Sequence, residues 1–139
     1  MARLISHFRR DQSGAVAVEF VLIAPILLTL LFGIITVGYF MGLSHSVSQL
    51  AAGAARSSVA EFDAQGRTQA ATEYLQKASV NYPLLVQKGV GYDLTFEGTD
   101  AQAITVSVSY AIDGSFLDIA NGFLGLGITT IDGSAYLAY

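Results

Sequence analysis

From Phe20 to Met41 the chain carries no charged residue. That run of about 22 residues makes roughly 33 Å of helix at about 1.5 Å per residue. It is long enough to cross a hydrocarbon core of about 30 Å. A lone span in lipid must satisfy its own backbone hydrogen bonds, so the run is expected to be helical. Pro25 sits inside it. A proline there removes one helical hydrogen bond and crowds the carbonyl of Val21, which predicts a mild kink, although membrane helices tolerate proline well.

The flanks of the run are asymmetric. Residues 1–14 hold Arg3, Arg9 and Arg10 against Asp11, a balance of +2, so with a total of −4 the rest of the chain carries −6. A basic N-terminal flank favours the cytoplasmic side and sends the C-terminal part across the membrane. The acidic remainder argues against a nucleic-acid partner, which needs basic surface. There is no cysteine, which excludes a disulfide framework and a thiolate metal site. About a hundred residues beyond the span suffice for one modest core.

A cleaved secretory signal is a rival account of the N-terminus. Ala52-Gly53-Ala54 has the small residues of a cleavage site, but the apolar core is too long and the site too distant for that reading. Beyond Met41, Leu43, Val47, Leu50 and Ala54 recur at helical spacing. The helix is therefore expected to run on to about Glu61, apolar all round at first and striped afterwards. Gly38, Gly42 and Ser46 form a ridge of small residues at four-residue spacing, of the kind that lets helices approach closely. Ordinary glycine content of a membrane helix explains the same pattern.

Asp63-Ala64-Gln65-Gly66 reads as a turn. A second helix follows from about Arg67 to Val80, with Ala71, Tyr74, Leu75, Ala78 and Tyr82 as its apolar face and Pro83 as its stop. The period then becomes two. Tyr92, Leu94 and Phe96 alternate with polar residues, as do Ile104, Val106, Val108 and Tyr110, with Gly98-Thr99-Asp100 between them. This predicts a hairpin with one buried face. Gly127–Tyr139 is expected to add a third strand. Between them, Ser115–Leu126 reads as a short amphipathic helix or an apolar loop. It serves either as core or as a patch for a partner or the bilayer surface.

The expected fold is thus α+β: a long N-terminal transmembrane helix continuing into a small head with a second helix and a roughly three-stranded antiparallel sheet. The divisions fall at residues 1–14 (a leader), 15–61 (the long helix, with the span at about 20–41) and 62–139 (the exported head).

Little in the sequence has the pattern of catalysis. His7 and His45 are far apart and lack companions that would make a metal site. Glu61, Asp63, Asp93, Glu97, Asp100, Asp113, Asp118 and Asp132 are scattered, without the spacing of a catalytic pair. A calcium site around Glu97 and Asp100 would lack the regular ligand spacing of a calcium loop. No phosphate-binding glycine pattern and no nucleophile motif is present. Neither an enzyme nor a bound cofactor or metal is expected.

Glu19 is the exception among the acids. It lies just inside the apolar segment, where a charge is costly, though near enough to the edge to reach the headgroups. A sharper account begins at Gly14. If a peptidase cuts between Gly14 and Ala15, the arginines leave with the leader and Ala15 becomes a free amine, charged or partly so near neutral pH. Glu19 then lies one helical turn along. It can pair with its own amine or with that of a neighbouring subunit, in one axial register only. Glycine at the scissile position lets a protease grip the backbone closely.

The run Arg9-Arg10-Asp11-Gln12-Ser13-Gly14-Ala15-Val16-Ala17-Val18-Glu19-Phe20, continuing through Pro25 and Gly33, resembles type IV prepilin-like proteins. More narrowly, it resembles the TadE-like pseudopilins of the tight adherence (Tad, or Flp) pilus. In that family the processing motif is Gly, four residues, Glu and an aromatic, matched here by Gly14, Glu19 and Phe20. Phe20 stands where the major pilins usually carry tyrosine. The major pilins are also much shorter, which places this chain with the minor pilins or pseudopilins. The resemblance spans roughly residues 9–55; residues 62–139 inherit nothing by motif.

The resemblance implies processing by a membrane prepilin peptidase, which supplies the catalytic aspartates. It implies insertion in a bacterial inner membrane with a cytoplasmic N-terminus and a periplasmic or extracellular head. The implied partners are other pilins or pseudopilins, the inner-membrane assembly platform and membrane lipid. The implied role is assembly or priming of a pilus used in surface adherence. Two other readings stand beside it: a permanently anchored single-pass protein whose head binds a ligand or envelope partner, and a membrane-anchored enzyme.

Overall fold

A computed structural model describes residues 12–98 and 102–139. Residues 1–11, with Arg3, His7, Arg9 and Arg10, lie outside them, as do Thr99 and Asp100 of the expected turn and of the calcium reading.

The first element, α1, runs unbroken from Gln12 to Ser57, 46 residues with Pro25 inside. A 3₁₀ turn, Ser58–Ala60, ends it. Compactness divides the chain into two units, Met1–Val37 and Gly38–Tyr139. In the first, the side chains of α1 face outward: Phe20, Leu22, Leu30 and Ile34 are all well exposed. The core helix of a soluble protein would bury such residues. The hydroxyl of Thr29 donates to the Pro25 carbonyl at 2.8 Å and that of Thr36 to the Phe32 carbonyl at 2.7 Å. Both threonine hydroxyls of the apolar stretch are thereby satisfied within their own helix.

The second unit is an α+β head that includes the last part of α1. Leu43, Val47, Leu50, Ala51 and Ala54 of that helix are buried in its core. The helix therefore outlasts the apolar span because its stripe has a sheet to lie on, while the compact unit begins well before residue 62.

Helix α2 spans Ala64–Ala78 and buries Ala71 and Leu75. It starts earlier than the expected Arg67. The Asp63 carboxylate accepts from the Gly66 amide at 2.7 Å, so Asp63 caps the helix and Ala64–Gly66 form its first turn. Capping satisfies one of the donors that every helix N-terminus leaves open. A 3₁₀ turn, Ser79–Asn81, follows before Pro83.

Strands β1 (Val90–Glu97), β2 (Ala103–Ala111) and β3 (Thr130–Ala138) form one antiparallel sheet in the order β1-β2-β3. Central β2 buries Ile104, Val106, Val108 and Tyr110. On edge strand β1 the same face is covered less: Leu94 and Phe96 are half-buried and Tyr92 is exposed. Expectation placed Tyr92 in the buried face; the edge position explains the difference, since neighbours cover one flank only. Opposite Val108, Gly133 of β3 gives α1 room: a Cβ on it would lie 2.9 Å from the Ser48 amide nitrogen.

Helix α3, Phe116–Leu124, settles the open choice at 115–126. Ser115 caps it by accepting from the Asp118 amide, and Gly125 ends it in the left-handed conformation at φ 64°. Leu117 and Ala120 are buried.

Candidate functional site

The sequence motif occupies the exposed part of α1. Gly14 and Ala15 have helical backbone, and nothing lies within 4 Å of where a Gly14 Cβ would be. Glu19 and Phe20 are both exposed on the same helix. Glu19 is four positions after Ala15, so helical geometry puts them about one turn apart on one face. The carboxylate thus stands one turn from the nitrogen that a cut after Gly14 would free.

Pro25 does not interrupt α1, whose helical assignment continues to Ser57. The small-residue ridge is used unevenly. Gly38 is open: a Cβ on it would meet nothing within 4 Å. At Gly42 a Cβ would meet Leu84 Cδ1 at 3.0 Å, so this glycine accommodates a side chain of its own head. The Ser46 hydroxyl donates to the Gly42 carbonyl at 2.8 Å.

Two tyrosines make contacts that escaped sequence reasoning. Tyr39, two residues before Met41, meets Phe116 edge-to-face with ring centroids 5.5 Å apart. Tyr139 lays its ring 3.6 Å from the Arg67 guanidinium carbon. Its hydroxyl lies 2.5 Å from Ser58 Oγ. Nothing in local periodicity signals either, because both join residues far apart in the chain.

The remaining polar features are weakly organised. The outer face of the sheet holds a shallow hollow lined by Asp93, Ser107, Ser109, Asp132 and Ser134. Among the described residues, no three histidine or carboxylate side chains are grouped to hold a metal ion. His45 pairs with Gln49 one turn on, Nε2 to Nε2 at 2.6 Å, on an exposed face. The Glu73 carboxyl ionises below its ordinary value because Lys77 hydrogen-bonds to it and lies beside it as a positive charge.

Ala52-Gly53-Ala54, the rival cleavage site, lies inside α1. Gly53 and Ala54 are buried, and a Cβ on Gly53 would run into the Tyr74 ring. A cut there would remove Leu43, Val47 and Leu50 from the core, which argues against that rival. Together, the exposed apolar helix and the head that continues from it describe a membrane-anchored single-pass protein. Among the described residues α1 is the one helix long and apolar enough to cross a bilayer.

No curated protein and no solved structure shows significant similarity to the chain. A family model described as TadE-like protein matches residues 14–56. The match opens on Gly14, takes in Glu19, Phe20 and Pro25, and stops one residue short of the end of α1. Over that segment the chain is similar to TadE-like proteins.

Proposed function

We propose that the chain is a minor pilin or pseudopilin, made as a precursor with a prepilin leader and cut between Gly14 and Ala15 by a prepilin peptidase. The observation that carries the reading is the TadE-like match from Gly14 to Arg56, laid over an exposed apolar helix with a single acid, Glu19, near its start. Once the leader is gone, the Ala15 amine and the Glu19 carboxylate neutralise each other, within one helix or between neighbours. A charged pair is tolerable in an apolar bundle where a lone charge is not. The requirement sets the axial position of each subunit against the next, which is the registry role assigned to Glu19 and, beside it, Phe20.

In this reading the chain is a structural component, not an enzyme. Its head lies on the periplasmic or extracellular side of a bacterial inner membrane. Its partners are the peptidase, other pilins or pseudopilins and the assembly platform. The test is the N-terminus of the mature protein. Coexpressed with its peptidase and extracted from membranes, the chain should begin at Ala15 by intact mass and N-terminal sequencing. A protein that still begins at Met1 under those conditions is a permanently anchored membrane protein instead.

A further inference from the structure

We propose that α3 is a second membrane contact: an interfacial helix whose apolar face rests in the outer surface of the bilayer that α1 crosses. The helix has two adjacent apolar faces. Leu117 and Ala120 face the core. Phe116, Ile119 and Phe123, at helical spacing, face outward, with Ile119 71% and Phe123 82% exposed, and Leu126 continues the patch just beyond the helix. A covered core face does not explain a second apolar face beside it.

The polar side chains of α3 are engaged by neighbouring backbone of the head. The Asp118 carboxylate accepts from the Gly114 amide at 3.0 Å. The Asn121 side chain donates to the Ile128 carbonyl at 2.7 Å and accepts from the Ile128 amide at 3.1 Å. The outward face is left apolar, with no charged side chain on it.

What identifies the occupant is Tyr39. It stands two residues before Met41, beyond which α1 turns polar at Ser44, His45, Ser46, Ser48 and Gln49, and its ring packs against Phe116, the first residue of α3. The outward face of α3 thus starts beside the point of α1 at which its apolar sequence gives way to polar residues. Aromatic residues favour that depth. An amphipathic helix there buries its apolar face about 5–10 Å into the headgroup and acyl boundary. A protein partner is a poorer fit, because four side chains fall short of the roughly 800 Å² per partner of a stable protein interface. The face carries no lysine or arginine, so its attraction to lipid is apolar and indifferent to lipid charge.

The chain has no cysteine, so a single one can report position. Full-length Phe123→Cys and, separately, Ile119→Cys are labelled with an environment-sensitive fluorophore and reconstituted in phosphatidylcholine vesicles. Gln69→Cys on the exposed side of α2 is the control. The α3 probes should be blue-shifted relative to the control and quenched by lipids carrying a nitroxide near the headgroup more than by lipids carrying it deep in the chain. Both effects should persist when the protein is diluted in lipid and when anionic lipid or salt is added. Emission like that of the control, without lipid quenching, overturns the proposal. A blue shift without lipid quenching that fades on dilution also overturns it, and assigns the face to a second copy. The outcome does not depend on cleavage at Gly14, so it stands or falls separately from the pilin reading.

Discussion

Gly133 of β3 lies so close to Ser48 of α1 that a Cβ on it would come within 2.9 Å of the Ser48 amide nitrogen and 3.0 Å of Val47 Cγ1. The obstruction is backbone, which cannot swing aside. Gly133→Ala should therefore destabilise the protein by about 1–3 kcal/mol, the usual cost of overpacking a core. Thermal unfolding in detergent would register it. Gly122→Ala, in α3 with open space around it, is the comparison and should gain up to about 1 kcal/mol from helix propensity.

Tyr139 holds two elements at once. The Ser58 hydroxyl donates to the Ala55 carbonyl at 2.7 Å, so the Tyr139 phenol donates to Ser58 Oγ. Tyr139→Phe keeps the ring over Arg67 and should cost about 1 kcal/mol, one net hydrogen bond. Tyr139→Ala also removes the cation–π contact, adding about 0.5–1 kcal/mol or more. Denaturant titration of the two variants separates the contributions; equal losses would show that the ring does nothing.

Burial raises the ionisation of the Tyr82 hydroxyl above its ordinary value, the neighbouring Tyr74 raises it further, and Arg56 pulls the other way. The folded chain then holds a proton that the unfolded chain loses near pH 10. This contribution to stability is whole below that pH and disappears as pH rises through the raised value. Tyr82→Phe should flatten the fall in melting temperature on the alkaline side and leave the neutral region nearly unchanged apart from packing.

Gly14→Arg should block removal of the leader while leaving membrane insertion intact, because the span is untouched. A gel shift against the mature protein reads it, and equal processing would remove the stated reason for the glycine. Glu19→Ala should insert at least as well as the parent, since a charge is removed from the apolar segment. It should nevertheless yield far less assembled pilus. Normal assembly would mean that Glu19 merely reaches the headgroups.

The long helix, the second helix and the three strands were legible in the sequence because each repeats a simple pattern over many residues: absence of charge, a period near 3.6, or a period of two. The start of α2 was not. Asp63 and Gly66 suit both a turn and a helix N-terminus, and only the carboxylate-to-amide bond between them decides. For α3 the deciding signals were present, Ser115 as cap and Gly125 as stop, but a pattern cannot tell how one helix divides two apolar faces between core and surroundings. At the candidate site, the motif from Gly14 to Phe20 could be read directly. That Gly42 receives Leu84 of the same chain could not, since small residues look alike whether they meet a neighbour or their own fold.

The burial of Leu43, Val47, Leu50 and Ala54 against the sheet has a practical corollary for anyone wanting a water-soluble fragment. Cutting at the visible change of composition near residue 62 strips away the helical lid and leaves Ile104, Val106 and Val108 bare, an invitation to aggregate. Starting at Gly38, the first residue of the compact unit, keeps the lid while discarding most of the greasy stem.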